Sequence, residues 1–268
     1  GILRQHLVGR IVSSGPIIAV VSPKGGNGKT TVSSNVAVAL AAHAQPILID
    51  LDVHFGDVEY ALRLRPTHRL DHAVERLTEH SSADLEALLS DHPSGAAALC
   101  APSDPVAADR LTAAQCFSVV DRLSETGRPV VLDTAGGIGD HTLEALDRAS
   151  HVLLVSGTDV PSVHAGRKLL DTMERLGMHA PETHLIVNRS TARVGLGVAD
   201  VEAVLGLRAA LEVPEHSSVA AAMNQGSPLV ESTPGSPIAR AFGRFAGQMV
   251  GAYDSRRQGP WSRLVGRA

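Results

Sequence analysis

Short unbroken apolar runs alternate along this chain with longer stretches in which apolar residues recur every third or fourth position. Ile17 to Ser22, Pro46 to Leu51, Pro129 to Leu132, His151 to Ser156 and His184 to Val187 are the apolar runs. Runs this short, with no polar alternation, predict strands covered on both faces. Ala96 to Cys100 and Ala209 to Val213 read as further strands. Thr30 to Ala42, Thr112 to Glu125, Pro161 to Leu176 and the segments near 216–225 and 236–252 read as helices. Residues 53–60 read as a loop. Residues 61–92 read as polar and helical, because Leu70, Val74 and Leu77, and then Leu85, Leu88 and Leu89, repeat at helical spacing. Strands alternating with helices predict an α/β fold, a doubly wound and mainly parallel sheet with helices on both faces. The pattern divides the chain into a lead or linker (1–15), one body (16–253) and a tail (254–268).

Composition narrows the function classes. With 44% hydrophobic residues among 268, the chain is not disordered. Its longest apolar stretch, Val36 to Ala42, is far short of the roughly 18 residues that span a bilayer. A net charge of −4 disfavours a general nucleic-acid binder. Two separated cysteines, Cys100 and Cys116, argue against a disulfide scaffold or zinc ribbon and suit a reducing cytoplasm, where they read as packed thiols. The 13 histidines are scattered with no metal-ligand spacing, and nearly all read as surface or loop residues. Lysine use is more pointed. There are three lysines against 21 arginines, and Lys24 and Lys29 lie in one short segment.

That segment is Pro23-Lys24-Gly25-Gly26-Asn27-Gly28-Lys29-Thr30-Thr31, between a strand and a helix. Glycines let backbone N–H groups approach a polyphosphate, and the helix N-terminus adds a favourable dipole. Lys29 can reach the β- and γ-phosphates, and the Thr30 hydroxyl can ligate Mg²⁺. Two strand ends supply carboxylates: Asp133, before Thr134-Ala135-Gly136-Gly137, and Asp52, after Asp50-Leu51. Such aspartates sit where ligands bind in doubly wound sheets, and they also serve as turn caps.

The loop resembles the deviant Walker A string K-G-G-x-G-K-T-T of the ParA/MinD superfamily of P-loop ATPases (SIMIBI class, MinD-like). The resemblance implies ATP or ADP with Mg²⁺ as cofactors and an ATP-dependent homodimer. In it Lys24 crosses to the partner's nucleotide, Lys29 holds the phosphates of its own, and Gly25, Gly26, Asn27, Gly28 and Thr31 cradle them. It implies that Thr30 and Asp133 hold Mg²⁺, partly through water, that Asp52 orients the attacking water near the metal, and that Gly137 approaches the γ-phosphate. Asp50 is expected to support the loop. Ala135-Gly136 stands where the family commonly has Pro-Pro, which predicts a looser segment. Val187-Asn188-Arg189 and Val213-Pro214-Glu215 resemble the segments beside the adenine, with Asn188 and Pro214 at the base; a plain turn residue after a strand is the lesser reading of Asn188.

Within the superfamily, Leu51 to Val58, Asp140-His141-Thr142, Thr158 to Ser162, Val194-Gly195-Leu196 and Ala199 to Glu202 resemble the CpaE/TadZ branch. That branch places pilus and secretion machinery at chosen sites in bacterial cells. The resemblance covers roughly residues 17–245 and implies a slowly hydrolysing switch whose partners are Tad/Flp-type pilus or secretion proteins. It also implies a cytoplasmic location, on the inner face of the membrane or at a pole. The branch often carries an N-terminal receiver-like domain, after which residues 1–15 would be a linker. A ParA-type DNA-segregation ATPase and a nucleotide-binding scaffold with little hydrolysis are the alternatives, DNA being disfavoured by the net charge. The tail, with Arg256, Arg257, Trp261, Arg263 and Arg267, is a candidate for contact with anionic membrane, or a solvated or partner-binding peptide.

Overall fold

The computed structural model describes residues 14–178, 182–192 and 195–257, with side chains through Val250. Strands β1 (Ile17–Val21), β2 (Ile47–Leu51), β3 (Ser90–Asp91), β4 (Ala97–Leu99), β5 (Val130–Thr134), β6 (His151–Ser156), β7 (Glu182–Asn188) and β8 (Ala209–Val213) form one sheet. Its order is β3-β4-β2-β5-β1-β6-β7-β8. Every pairing is parallel except the antiparallel edge pair β3–β4. The doubly wound, mainly parallel sheet expected from the sequence is therefore present.

The unbroken apolar runs are explained by alternation between two cores. Ile17, Ala19 and Val21 enter one, with Phe117, Leu146 and Leu169; Ile18 and Val20 enter the other, with Val36, Leu40 and Phe242. The first core is covered by α3 (Leu70–Glu79), α5 (Ala113–Ser124), α6 (Asp140–Arg148), α7 (Val160–Arg175) and α8 (Val198–Leu205). The second is covered by α1 (Lys29–Leu40), α2 (Val58–Ala61), α9 (Ser217–Gln225), α10 (Leu229–Ser232) and α11 (Pro237–Arg257). The short α4 (Pro105–Ala108) follows β4. Burying one Ile or Leu contributes about 1.5–3 kcal/mol, so the apolar positions of β1 and β2 stabilise the sheet on both faces.

Some local expectations fail. Residues 61–92 are not one helical stretch: α3 begins only after Pro66, Leu88 ends a single 3₁₀ turn, and Ser90–Asp91 pair as a strand. A proline displaces its predecessor from helical geometry, and the leucine spacing matches one turn as well as four. Helix α2 occupies the end of the expected loop 53–60. Helices α6 and α8 bury few residues each, Thr142, Ala145 and Leu146 in one and Val201 and Leu205 in the other, too sparse a signal to read. Helix α11 runs to Arg257, so the first residues of the expected tail continue it; the rest of the tail lies outside the described residues, as does the lead through Ser13. His151 and His184 lie in the strands expected of them, but His151 is buried rather than at the surface. No helix among the described residues is long and apolar enough to cross a membrane.

Strand order positions the site. Strand β1 lies between β5 and β6. The chain leaves β1 toward β2 on one side and later crosses to β6 on the other. Loops leaving the C-terminal ends diverge there and open a crevice, the usual ligand position in such sheets.

Candidate functional site

The loop after β1 is held open by glycine geometry. Gly26 has φ 79° and Gly28 φ 90°, the left-handed region that glycine adopts without strain. Helix α1 starts at Lys29 with no side-chain cap at Gly28 and no acidic residue in its first turn. Its first N–H groups are thus left for an anion, with the helix dipole behind them. Asn27 braces the loop from within. Its Nδ2 donates to Ser22 Oγ (2.9 Å), and its Oδ1 accepts from Ser162 Oγ (3.1 Å).

Beneath this loop the strand ends bring carboxylates together. Asp50 and Asp133 are register partners on β2 and β5, and both are buried. Asp50 serves the fold, as expected: its oxygens accept from the backbone N–H groups of Asp52 (3.2 Å) and Val58 (3.1 Å) and turn the chain after β2. Burial and the facing Asp133 push its pKa well above the usual range. Asp133 differs, because both of its oxygens are buried without a hydrogen-bond partner among the described residues. Burial raises its pKa to about 7; the Thr30 hydroxyl and the Lys29 ammonium pull it down, and Asp52 adds to the rise. Lys29 is itself buried at 8% exposure, and Asp52 is half-buried. A carboxylate kept from water, beside a cation and a hydroxyl and short of partners, has the donor set of a hard divalent ion such as Mg²⁺.

The segment after β5 closes over the loop. The Thr134 hydroxyl donates to the Val20 carbonyl (2.9 Å), and the Gly137 N–H to the Ser22 carbonyl (3.2 Å). A Cβ on Gly136 would stand 2.9 Å from the Gly25 nitrogen and 3.0 Å from its Cα. The missing Pro-Pro therefore brings close backbone contact here rather than the looser segment expected.

Across the loop, Asn188 at the end of β7 gives Nδ2 to the Asn27 carbonyl (2.8 Å) and accepts from the Arg189 N–H (3.0 Å). Its amide thus braces the phosphate loop as well as bordering a cleft of about 190 Å³ with Asn27, Asp159, Arg189, Ala192 and Glu215. Pro214 is half-buried, one residue before Glu215 on this border. Lys24 leans outward within its own chain, where its Nζ lies 3.1 Å from Asp159 Oδ1, both side chains about half exposed (48% and 47%). Asp159 caps α7 by accepting from the Ser162 N–H (3.0 Å). Its pKa is lowered to about 2, chiefly by the Ser162 hydroxyl and then by Lys24. Asp159 is the residue the sequence reading left without a role; Asp-x-x-Ser ahead of a helical run was the available signal.

The rim is apolar. Seven large apolar residues stand exposed among the described residues, and five of them, Phe55, Tyr60, Val106, Ile138 and Val160, lie in segments following C-terminal strand ends. Cys100 and Cys116 are buried and free, and burial pushes each thiol up to about 12, which disfavours the thiolate.

Residues 18–229 match the family described as the CobQ/CobB/MinD/ParA nucleotide binding domain. The chain belongs to this family. An uncharacterized ATP-binding protein of Methanocaldococcus jannaschii is 30% identical over 239 residues, 88% of each chain. The ParA family ATPase from Chlorobium tepidum superposes with a TM-score of 0.80 at 15% identity, over 88% of this chain and 99% of that one. The septum site-determining protein MinD of Pyrococcus horikoshii, complexed with Mg-ADP, gives 0.77 at 20% identity, over 88% and 96%. At such identities the structural likeness is one of fold. The loop of Lys24 to Thr31 lies within the matched nucleotide-binding domain, and the ParA/MinD resemblance read from the sequence holds at the level of the family.

Proposed function

We propose that the chain is an ATPase of deviant Walker A type that works as a nucleotide-dependent dimer switch. One observation carries this: a single glycine loop bears two lysines with opposite surroundings, Lys29 buried beside Asp133 and Lys24 half exposed against Asp159. In this reading Lys29, the N–H groups of Gly25 to Gly28 and Thr31 bind the phosphates, and Thr30 and Asp133 hold Mg²⁺. The metal, when bound, supplies charge neutralisation at the phosphates. Asp52 orients the attacking water near the metal, Gly137 meets the γ-phosphate, and Asn188 and Pro214 border the base. Lys24 turns from Asp159 to the partner's phosphates and stabilises charge there, as an arginine finger does. Its tether is weak, since an exposed ion pair contributes only about 0–1 kcal/mol. Phe55, Tyr60, Val106, Ile138 and Val160 are the surface the partner copy covers.

The CpaE/TadZ strings gather at this edge. Leu51 to Val58 wraps Asp50, Thr158 to Ser162 carries Asp159, and the Leu196 N–H donates to the Thr158 carbonyl (2.8 Å). This supports a switch that positions a Tad/Flp-type pilus or secretion machinery from the cytoplasmic side, at the membrane or a pole.

The test is size-exclusion chromatography with light scattering, in ADP and in a non-hydrolysable ATP analogue. The wild type should dimerise only in the analogue, and Lys24→Ala should remain monomeric and lose most hydrolysis while still binding nucleotide. Unchanged dimerisation and turnover in Lys24→Ala would overturn the proposal.

A further inference from the structure

At the opposite ends of the strands lies a second constellation, built from residues the nucleotide site does not use. His151 opens β6, and its register partner Glu182 opens β7. His184 lies two residues on, so it projects from the same sheet face as Glu182. The three ligand-type atoms close a triangle. His151 Nδ1 is 3.3 Å from His184 Nε2 and 3.3 Å from Glu182 Oε2, and His184 Nε2 is 3.5 Å from Glu182 Oε2. The two rings stack at 5.5 Å, and the edge of Phe245 from α11 fixes His184 from above, also at 5.5 Å.

The nearly equal edges separate two explanations. A hydrogen-bonded relay needs short contacts along two edges and leaves the third free. A common centre makes all three alike. Zinc bound tetrahedrally at about 2.0–2.1 Å holds its ligand atoms about 3.3–3.4 Å apart, whereas an octahedral ion of that size needs about 2.9 Å. Two imidazoles and one carboxylate are the donor set of a borderline transition metal rather than of magnesium. The His151 side chain is 3% exposed, His184 21% and Glu182 31%, so the triad is anchored in the protein and reached from the Glu182 side. The His151 ring also lines a cavity of about 140 Å³, with Pro16, Leu40, His43 and Met249 around it.

We infer that His151, Glu182 and His184 form a binding site for one zinc-class divalent transition-metal ion, with a fourth position left to solvent or a small ligand. The ion ties the starts of β6 and β7 together beneath α11, at the edge away from the phosphate loop. The inference does not depend on the nucleotide reading.

The experiment uses the full chain, stripped with chelator and then saturated with Mg·ADP. It is titrated with CoCl₂, followed by visible absorption, and with ZnCl₂, followed by calorimetry. One Co²⁺ per chain should bind with the intense bands of four-coordinate cobalt, displaced by one Zn²⁺. Glu182→Gln and His184→Gln should each weaken binding by about 100-fold or more, while their metal-free melting and ADP affinity stay near wild type. Lack of saturable one-to-one binding in the wild type would overturn the site. So would binding that survives both substitutions, because the ion would then lie elsewhere.

Discussion

The two ends of the same parallel strands are built on opposite terms. At the C-terminal ends the chain spends stability: left-handed glycines at Gly26 and Gly28, a partnerless buried carboxylate at Asp133, a buried lysine, and apolar side chains left in water. At the N-terminal ends the same strands are tied down. The Gly15 N–H donates to the Ser124 carbonyl (2.7 Å), the Ser150 N–H to the Ile17 carbonyl (2.7 Å), and Arg128 Nε to the Gln45 carbonyl (2.7 Å). The groups open to a ligand at the C-terminal edge are those whose needs the fold leaves unmet.

Substitutions matched across the sheet test this contrast. The largest effect belongs to Lys29→Ala. Losing charge-assisted bonds to two phosphates, each about 1.5–3 kcal/mol, should weaken ATP binding on the order of 100-fold or more by calorimetry. Tight binding retained in that variant would place the phosphates elsewhere.

Next comes a pair of glycines. A Cβ on Gly28 would stand 2.2 Å from Asn188 Nδ2 at φ 90°, and one on Gly15 would stand 1.9 Å from the Arg128 carbonyl oxygen. Each alanine variant should lose about 1–3 kcal/mol in urea unfolding. Only Gly28→Ala should also lose nucleotide affinity. Equal loss in both would erase the distinction between the edges.

The smallest effect is expected from Asp159→Asn. The folded pKa of Asp159, about 2, lies below its ordinary value. Its charge therefore stabilises the fold above the unfolded pKa of about 3.9, and that stabilisation is lost as pH falls toward 2. At half exposure, solvent screening keeps the effect within about 1 kcal/mol. Urea melts of wild type and variant should differ slightly at pH 5 and converge by pH 2. A gap that widens on acidification would mean that Asp159 is not held ionised by Ser162 and Lys24.

Legibility from the sequence followed the length of each signal. Strands buried on both faces write every position into the pattern, so β1, β2, β5 and β6 stand out. Helix α8 contributes two buried residues and could not. At the site, the loop is one contiguous string and Asp133 closes an apolar run, so both are readable in the sequence. The direction of Lys24 was not, since it depends on Asp159, 135 residues away. The grouping of His151 with Glu182 and His184 was equally hidden, because it exists only through the register of β6 on β7. Reading the scattered histidines one at a time missed it.

The contact of Gly136 with Gly25 has a mechanical consequence. Two bare backbones meet there with no side chain between them to yield, so the turn after β1 and the turn after β5 mesh like cogwheel teeth. There is no room for a side chain at the seam, so the two turns share one boundary and neither can be enlarged without moving the other.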